Sequence, residues 1–101
     1  MHYEIWVQRK TERLEIGLHF EAADRERNYD AAAMLAEHAP EILDAVGPEY
    51  ELEEWTAQWT RLHRSFAAPA LTPELAATAA ERAVALISGM EPIIEGLGLR
   101  E

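Results

Sequence analysis

Two stretches near the start of the chain alternate apolar with polar residues, and the period then changes. That switch limits the fold more than any other feature. Tyr3, Ile5 and Val7 alternate with Glu4, Trp6 and Gln8, and Leu14, Ile16, Leu18 and Phe20 alternate with Glu15, Gly17, His19 and Glu21. A period of two marks strands with one buried face. The short polar link Arg-Lys-Thr-Glu between the runs predicts a β-hairpin, with Ile5 opposite Ile16 and Val7 opposite Leu14. The aliphatic side chains then share one face, and Glu4, Trp6, Glu15, Gly17 and His19 share the other. From Asp24 the spacing becomes three and four. Ala32, Leu35, Ala39, Ile42 and Val46 form an amphipathic helical stripe. Asp24 suits its N-cap and Gly47-Pro48 its end. Pro40 predicts a kink or the start of a second short helix, because proline has no amide hydrogen to donate.

The segment LEEWTAQWTRLHRSF at 52–66 admits two readings. Leu52, Trp55, Trp59, Leu62 and Phe66 fit a helical seam. The content of Tyr50, Trp55, Thr56, Trp59, Thr60 and Phe66 instead favours strands. A hairpin turning at Thr56-Ala57-Gln58 sets Trp55 opposite Trp59, Glu53 opposite Arg61 and Leu52 opposite Leu62. Cross-strand pairs of these kinds contribute about 0.2–1 kcal/mol each, and the hairpin is the reading adopted. Thr72 and Pro73 then start a helix whose inner face is Leu75, Ala79, Ala83, Leu86, Ile87 and Met90. Gly89 and Pro92 are expected to weaken its far end, leaving GLGLRE as a tail or an extra turn. The expected fold is α+β, a two-layer sandwich of order ββαββα. It has a four-stranded antiparallel sheet with two helices on one face, in a single domain over 1–101.

Nineteen acidic residues against nine basic ones give a net charge of −10, and only Lys10 among the bases is a lysine. Such a charge repels phosphate backbones, so direct nucleic-acid binding is not expected. An acidic inhibitor that mimics DNA is one alternative; a solvated acidic surface is the plainer one. The chain has no cysteine, which excludes disulfides and thiolate metal sites. It has no apolar run long enough for a membrane span, and a cytoplasmic location is expected.

The two hairpins put Trp6, His19, Trp55, Trp59, Arg61 and His63 on the sheet face that the helices leave open. These six residues are the candidate interface or ligand-binding set. The leading reading is a binding module that homodimerises through this aromatic face, or meets another protein partner there. A metal- or ligand-dependent enzyme using His19, His63 and nearby carboxylates is the alternative. His2 falls opposite His19, near Glu4 and Glu21, and two imidazoles with a carboxylate can hold a divalent ion. No HxH or HxxxH spacing supports that set, so no metal ligand and no cofactor are assigned. No catalytic residue is assigned either. Ser65 and Ser88 lack a histidine–acid partnership, and no glycine-rich phosphate loop occurs. The acidic run Glu21, Asp24, Glu26 and Asp30 suits a helix N-terminus.

LHFE at 18–21, AVGPEYELEEW at 45–55 and WTRLH at 59–63 resemble an uncharacterised α+β domain. That domain occurs in predicted restriction- or defence-associated proteins and as small stand-alone proteins. The resemblance implies a strand–helix–strand order and an accessory role, and it brings no established activity.

Overall fold

A computed structural model describes residues 1–100. Strands β1 (His2–Gln8) and β2 (Arg13–Phe20) form the first hairpin, with Ile5 opposite Ile16 and Val7 opposite Leu14. The link is one 3-10 turn at Arg9–Thr11, closed by Glu12 in the left-handed region. Helices α1 (Arg25–Glu37) and α2 (Ala39–Val46) follow, then β3 (Glu51–Glu53), β4 (Thr60–Ala67) and the long α3 (Pro73–Leu97). The sheet is antiparallel throughout, in the order β1-β2-β4-β3. Leu14, Ile16, Leu18 and Phe20 of β2 join Leu62 of β4 in the core, against Leu35, Ile42, Leu86, Met90 and Ile94 of the helices.

Three helices cover that face rather than two. Of the kink and the second short helix that Pro40 allows, the structure has the second: the stripe divides at His38, and Pro40 sits in the first turn of α2. A proline there removes one backbone donor and crowds the preceding turn, so the chain restarts its helix instead of bending through. Further along, α3 does not fade at Gly89 and Pro92 but runs on to Leu97. Met90 and Ile94 are completely buried beyond and between those residues. Burial of two such side chains contributes about 1.5–3 kcal/mol each, comparable to the combined cost of a helical glycine at about 1 and a proline at about 3. Gly89 is also where α2 closes on α3: a β-carbon there would lie 2.9 Å from Val46 Cγ1 and 3.0 Å from the Ala45 carbonyl oxygen. Ile87, expected on the inner face, is exposed.

The second hairpin has the expected register, with Leu52 opposite Leu62 and Glu53 opposite Arg61, but the ladder stops there. Trp55 and Trp59 lie in a loop, not in paired strand. Thr56 ties that loop to itself: its hydroxyl accepts from the amides of Gln58 and Trp59, and its own amide donates to the Trp59 carbonyl. The start of α1 then pins the loop down. The Asn28 amide donates to the carbonyls of Ala22 and Gln58, both at 2.9 Å, and its oxygen accepts from the Ala22 amide. Arg25 donates to the Ala57 carbonyl and Tyr29 to that of Thr56. Asn28→Ala should therefore lower folding stability by about 1–3 kcal/mol, the cost of leaving these buried groups unpaired. It should also speed amide exchange at residues 56–59. A urea midpoint unchanged from the parent, with unchanged exchange there, would contradict this role.

Candidate functional site

The outward-facing side chains of the sheet build a two-tier arrangement. In the lower tier, Glu15 and His19 of β2 are 1% and 0% exposed, although they lie on the face away from the helices. Arg61 and His63 of β4 lean over them. Arg61 reaches Glu15 Oε1 with Nη1 at 2.8 Å and Glu53 Oε1 with Nη2 at 2.7 Å. His63 Nδ1 stands 3.4 Å from Glu15 Oε1, too poorly aligned for a hydrogen bond. His19 Nε2 lies 3.3 Å from Glu15 Oε2, again close but not aligned, while its Nδ1 is hydrogen-bonded to Glu21 Oε2 at 2.8 Å. Gly17 makes the tier possible. A β-carbon there would sit 3.0 Å from the Leu62 carbonyl oxygen, 3.1 Å from His63 Cβ and 3.2 Å from His19 Nε2. A glycine inside an alternating strand often marks such a close approach.

The charges in this tier are set by competition between burial and neighbours. Burial alone would raise the Glu15 carboxyl, but the ion pair with His19 and the charges of Arg61 and His63 outweigh it and hold it below the ordinary value. Burial would likewise lower His19, but Glu15, Glu21 and Glu4 prevail and hold it above. His63 goes the other way: burial and then the Arg61 charge lower it, against the pull of Glu15 and Glu53. Of two imidazoles beside one carboxylate, His19 therefore holds a proton more tightly than His63.

The upper tier is aromatic. The Trp55 ring lies edge-on to His19 at 5.2 Å between ring centres, with Trp6 at 5.9 Å and Trp59 at 6.1 Å. The Arg61 guanidinium sits 4.5 Å from the Trp55 ring centre, close enough for a cation–π contact. Trp55 is half-buried as the roof of the polar tier, while Trp6 and Trp59 are 41% and 36% exposed.

All six sequence-derived candidates, Trp6, His19, Trp55, Trp59, Arg61 and His63, thus meet on one sheet face. Their placement is not uniform: the indoles of Trp6 and Trp59 reach solvent, whereas His19 is buried between Trp55 on one side and His2, Glu4 and Glu21 on the other. Glu15, the carboxylate that joins Arg61 to both imidazoles, was absent from the sequence-derived set. Gly17 was the one available sign of close packing on this face. No family model, curated protein or solved structure matches the chain. No helix among the described residues is long and apolar enough to cross a membrane.

Proposed function

We propose that this protein is a small interaction module that pairs with a second copy of itself through the tryptophan-bearing sheet face. The observation that carries the reading is the exposure of Trp6 and Trp59 on either side of Trp55, on the face the helices do not cover. Contiguous aromatic surface of that kind is characteristic of interfaces, where tryptophan and arginine are enriched. Charge supports a copy of this chain as the occupant. One end of the sheet carries Arg9, Lys10 and Arg13 beside Glu12, a net positive charge, and the opposite end carries Glu21 and Glu53 beside Arg61, a net negative one. A two-fold axis in the plane of contact and perpendicular to the strands reverses them and sets the basic end of each copy on the acidic end of the other. An accessory role, as the resemblance to defence-associated domains implies, would use this same face. An enzyme has less support, because Glu15 and His19 lie under Trp55 and Arg61 instead of facing an open cleft.

Sedimentation equilibrium of Trp6→Ala and Trp59→Ala tests the reading. Each variant should weaken self-association by about tenfold, consistent with loss of one peripheral interface aromatic. Val84→Ala, on the exposed side of α3, should leave it unchanged. Equal association in all three would remove the tryptophan face as the contact.

A further inference from the structure

We infer that His2, Glu4, His19 and Glu21 form a binding site for one first-row divalent cation, with zinc as the best-matched ion. The four side chains come from two paired strands and the residue after β2, and one ligand atom from each lies within 4.8 Å of every other. The site stands at the edge of the tryptophan face, and its argument does not depend on pairing between copies.

The donor set and its spacing both point to such an ion. Two imidazole nitrogens and two carboxylate oxygens suit zinc and its neighbours, whereas magnesium and calcium take oxygen ligands. For zinc at 2.0–2.1 Å from four tetrahedral ligands, the distance between ligand atoms is about 3.3 Å. His19 Nδ1 lies 2.8 Å from Glu21 Oε2 and 3.2 Å from Glu4 Oε2, so both carboxylate oxygens already stand near that separation from the nitrogen. A single Nδ1 carries at most one hydrogen, and one hydrogen cannot serve both oxygens well. A cation placed among the three satisfies both carboxylates and the nitrogen together. The His2 ring, 5.5 Å from that of His19 between centres and tilted by 34°, supplies the fourth donor from the solvent side.

The surroundings of His19 match those of a metal-bound imidazole. Such an imidazole usually has its other nitrogen directed at a carboxylate, which fixes the ring and its tautomer. Here Nε2 faces Glu15 at 3.3 Å, and Glu15 is held in turn by Arg61 at 2.8 Å. In the Nε2–H tautomer the His19 hydrogen is on the nitrogen beside Glu15, and the Nδ1 lone pair is free for the ion.

The experiment is titration of chelator-stripped protein with zinc chloride by calorimetry, beside His2→Ala/Glu21→Gln, whose substitutions fall at the rim and spare the buried His19. The parent should bind one equivalent, and the double variant at least tenfold more weakly. A second readout uses Trp55: cobalt(II), bound next to the ring that Trp55 contacts, should quench its fluorescence in the parent and lose that effect in the variant. Absence of saturable one-to-one binding in the parent would overturn the inference. So would equal affinity in the double variant, which would assign the ion to the general acidic surface.

Discussion

Glu15→Ala is expected to lower folding stability by about 3–5 kcal/mol, the usual cost of removing one partner from a buried ion pair. The carboxylate is 1% exposed and meets Arg61 at 2.8 Å, with His19 at 3.3 Å and His63 at 3.4 Å. Its removal leaves a guanidinium and two imidazoles crowded around a void. Glu53 still holds Arg61 from the outer side, which puts the expected loss at the lower end of that range. Glu15→Gln keeps the volume and one hydrogen-bond acceptor for Arg61, so it should cost less. The expected order is parent, Gln, Ala in urea denaturation, with midpoints shifting and slopes unchanged. An alanine variant within 1 kcal/mol of the parent would mean that this tier is hydrated and contributes little.

Trp55→Ala should have the largest effect on association, weakening it by about a hundredfold, in the range of a central interface tryptophan. Trp6 and Trp59 both touch the Trp55 ring, and Arg61 lies over it, so its loss removes the element that keeps the other two indoles in place. It also uncovers His19, with which it makes an edge-on contact. Folding stability should fall at the same time by about 2–3 kcal/mol, for the buried part of the indole. Circular dichroism separates the two effects, since the variant should remain folded while becoming monomeric. Trp55→Phe, which retains a ring over His19, should recover part of the association. A folded Trp55→Ala protein that stays as associated as the parent would exclude this side chain from the contact.

The strand pattern was legible because one face of β2 had to be apolar. Leu14, Ile16, Leu18 and Phe20 could share a face only if the strand was extended, and that fixed which residues of β1 lay opposite them. The same logic recovered the Leu52–Leu62 and Glu53–Arg61 register of the second hairpin. The loop beyond it was not legible. Its shape depends on Asn28, about thirty residues earlier, whose side chain bonds the Gln58 carbonyl from the start of α1. Nothing in a helical asparagine announces that partner.

Helix ends were misread for a related reason. Gly89 and Pro92 disfavour a helix locally, yet Met90 and Ile94 are buried so completely that packing against the sheet carries α3 past them. Pro40 acted as local chemistry dictates: the helix restarts at α2, and Leu35 and Ile42 on either side of the break both remain buried. Glu15 was the least visible feature. A carboxylate on the polar face of an amphipathic strand reads as solvated, and it is Arg61 and His63, from the other hairpin, that close over this one. Gly17 signalled that something approaches the strand closely there, without saying what.

Pairing through the tryptophan face is the claim on which the functional account depends, and sedimentation equilibrium of the unaltered protein tests it most directly. Over roughly 1–100 μM, a range centred on moderate affinities, the weight-average mass should rise to twice the 11.4 kDa of one chain. Quenching of Trp6 and Trp59 by acrylamide should decline in parallel. A mass fixed at one chain throughout, with quenching independent of concentration, would contradict it.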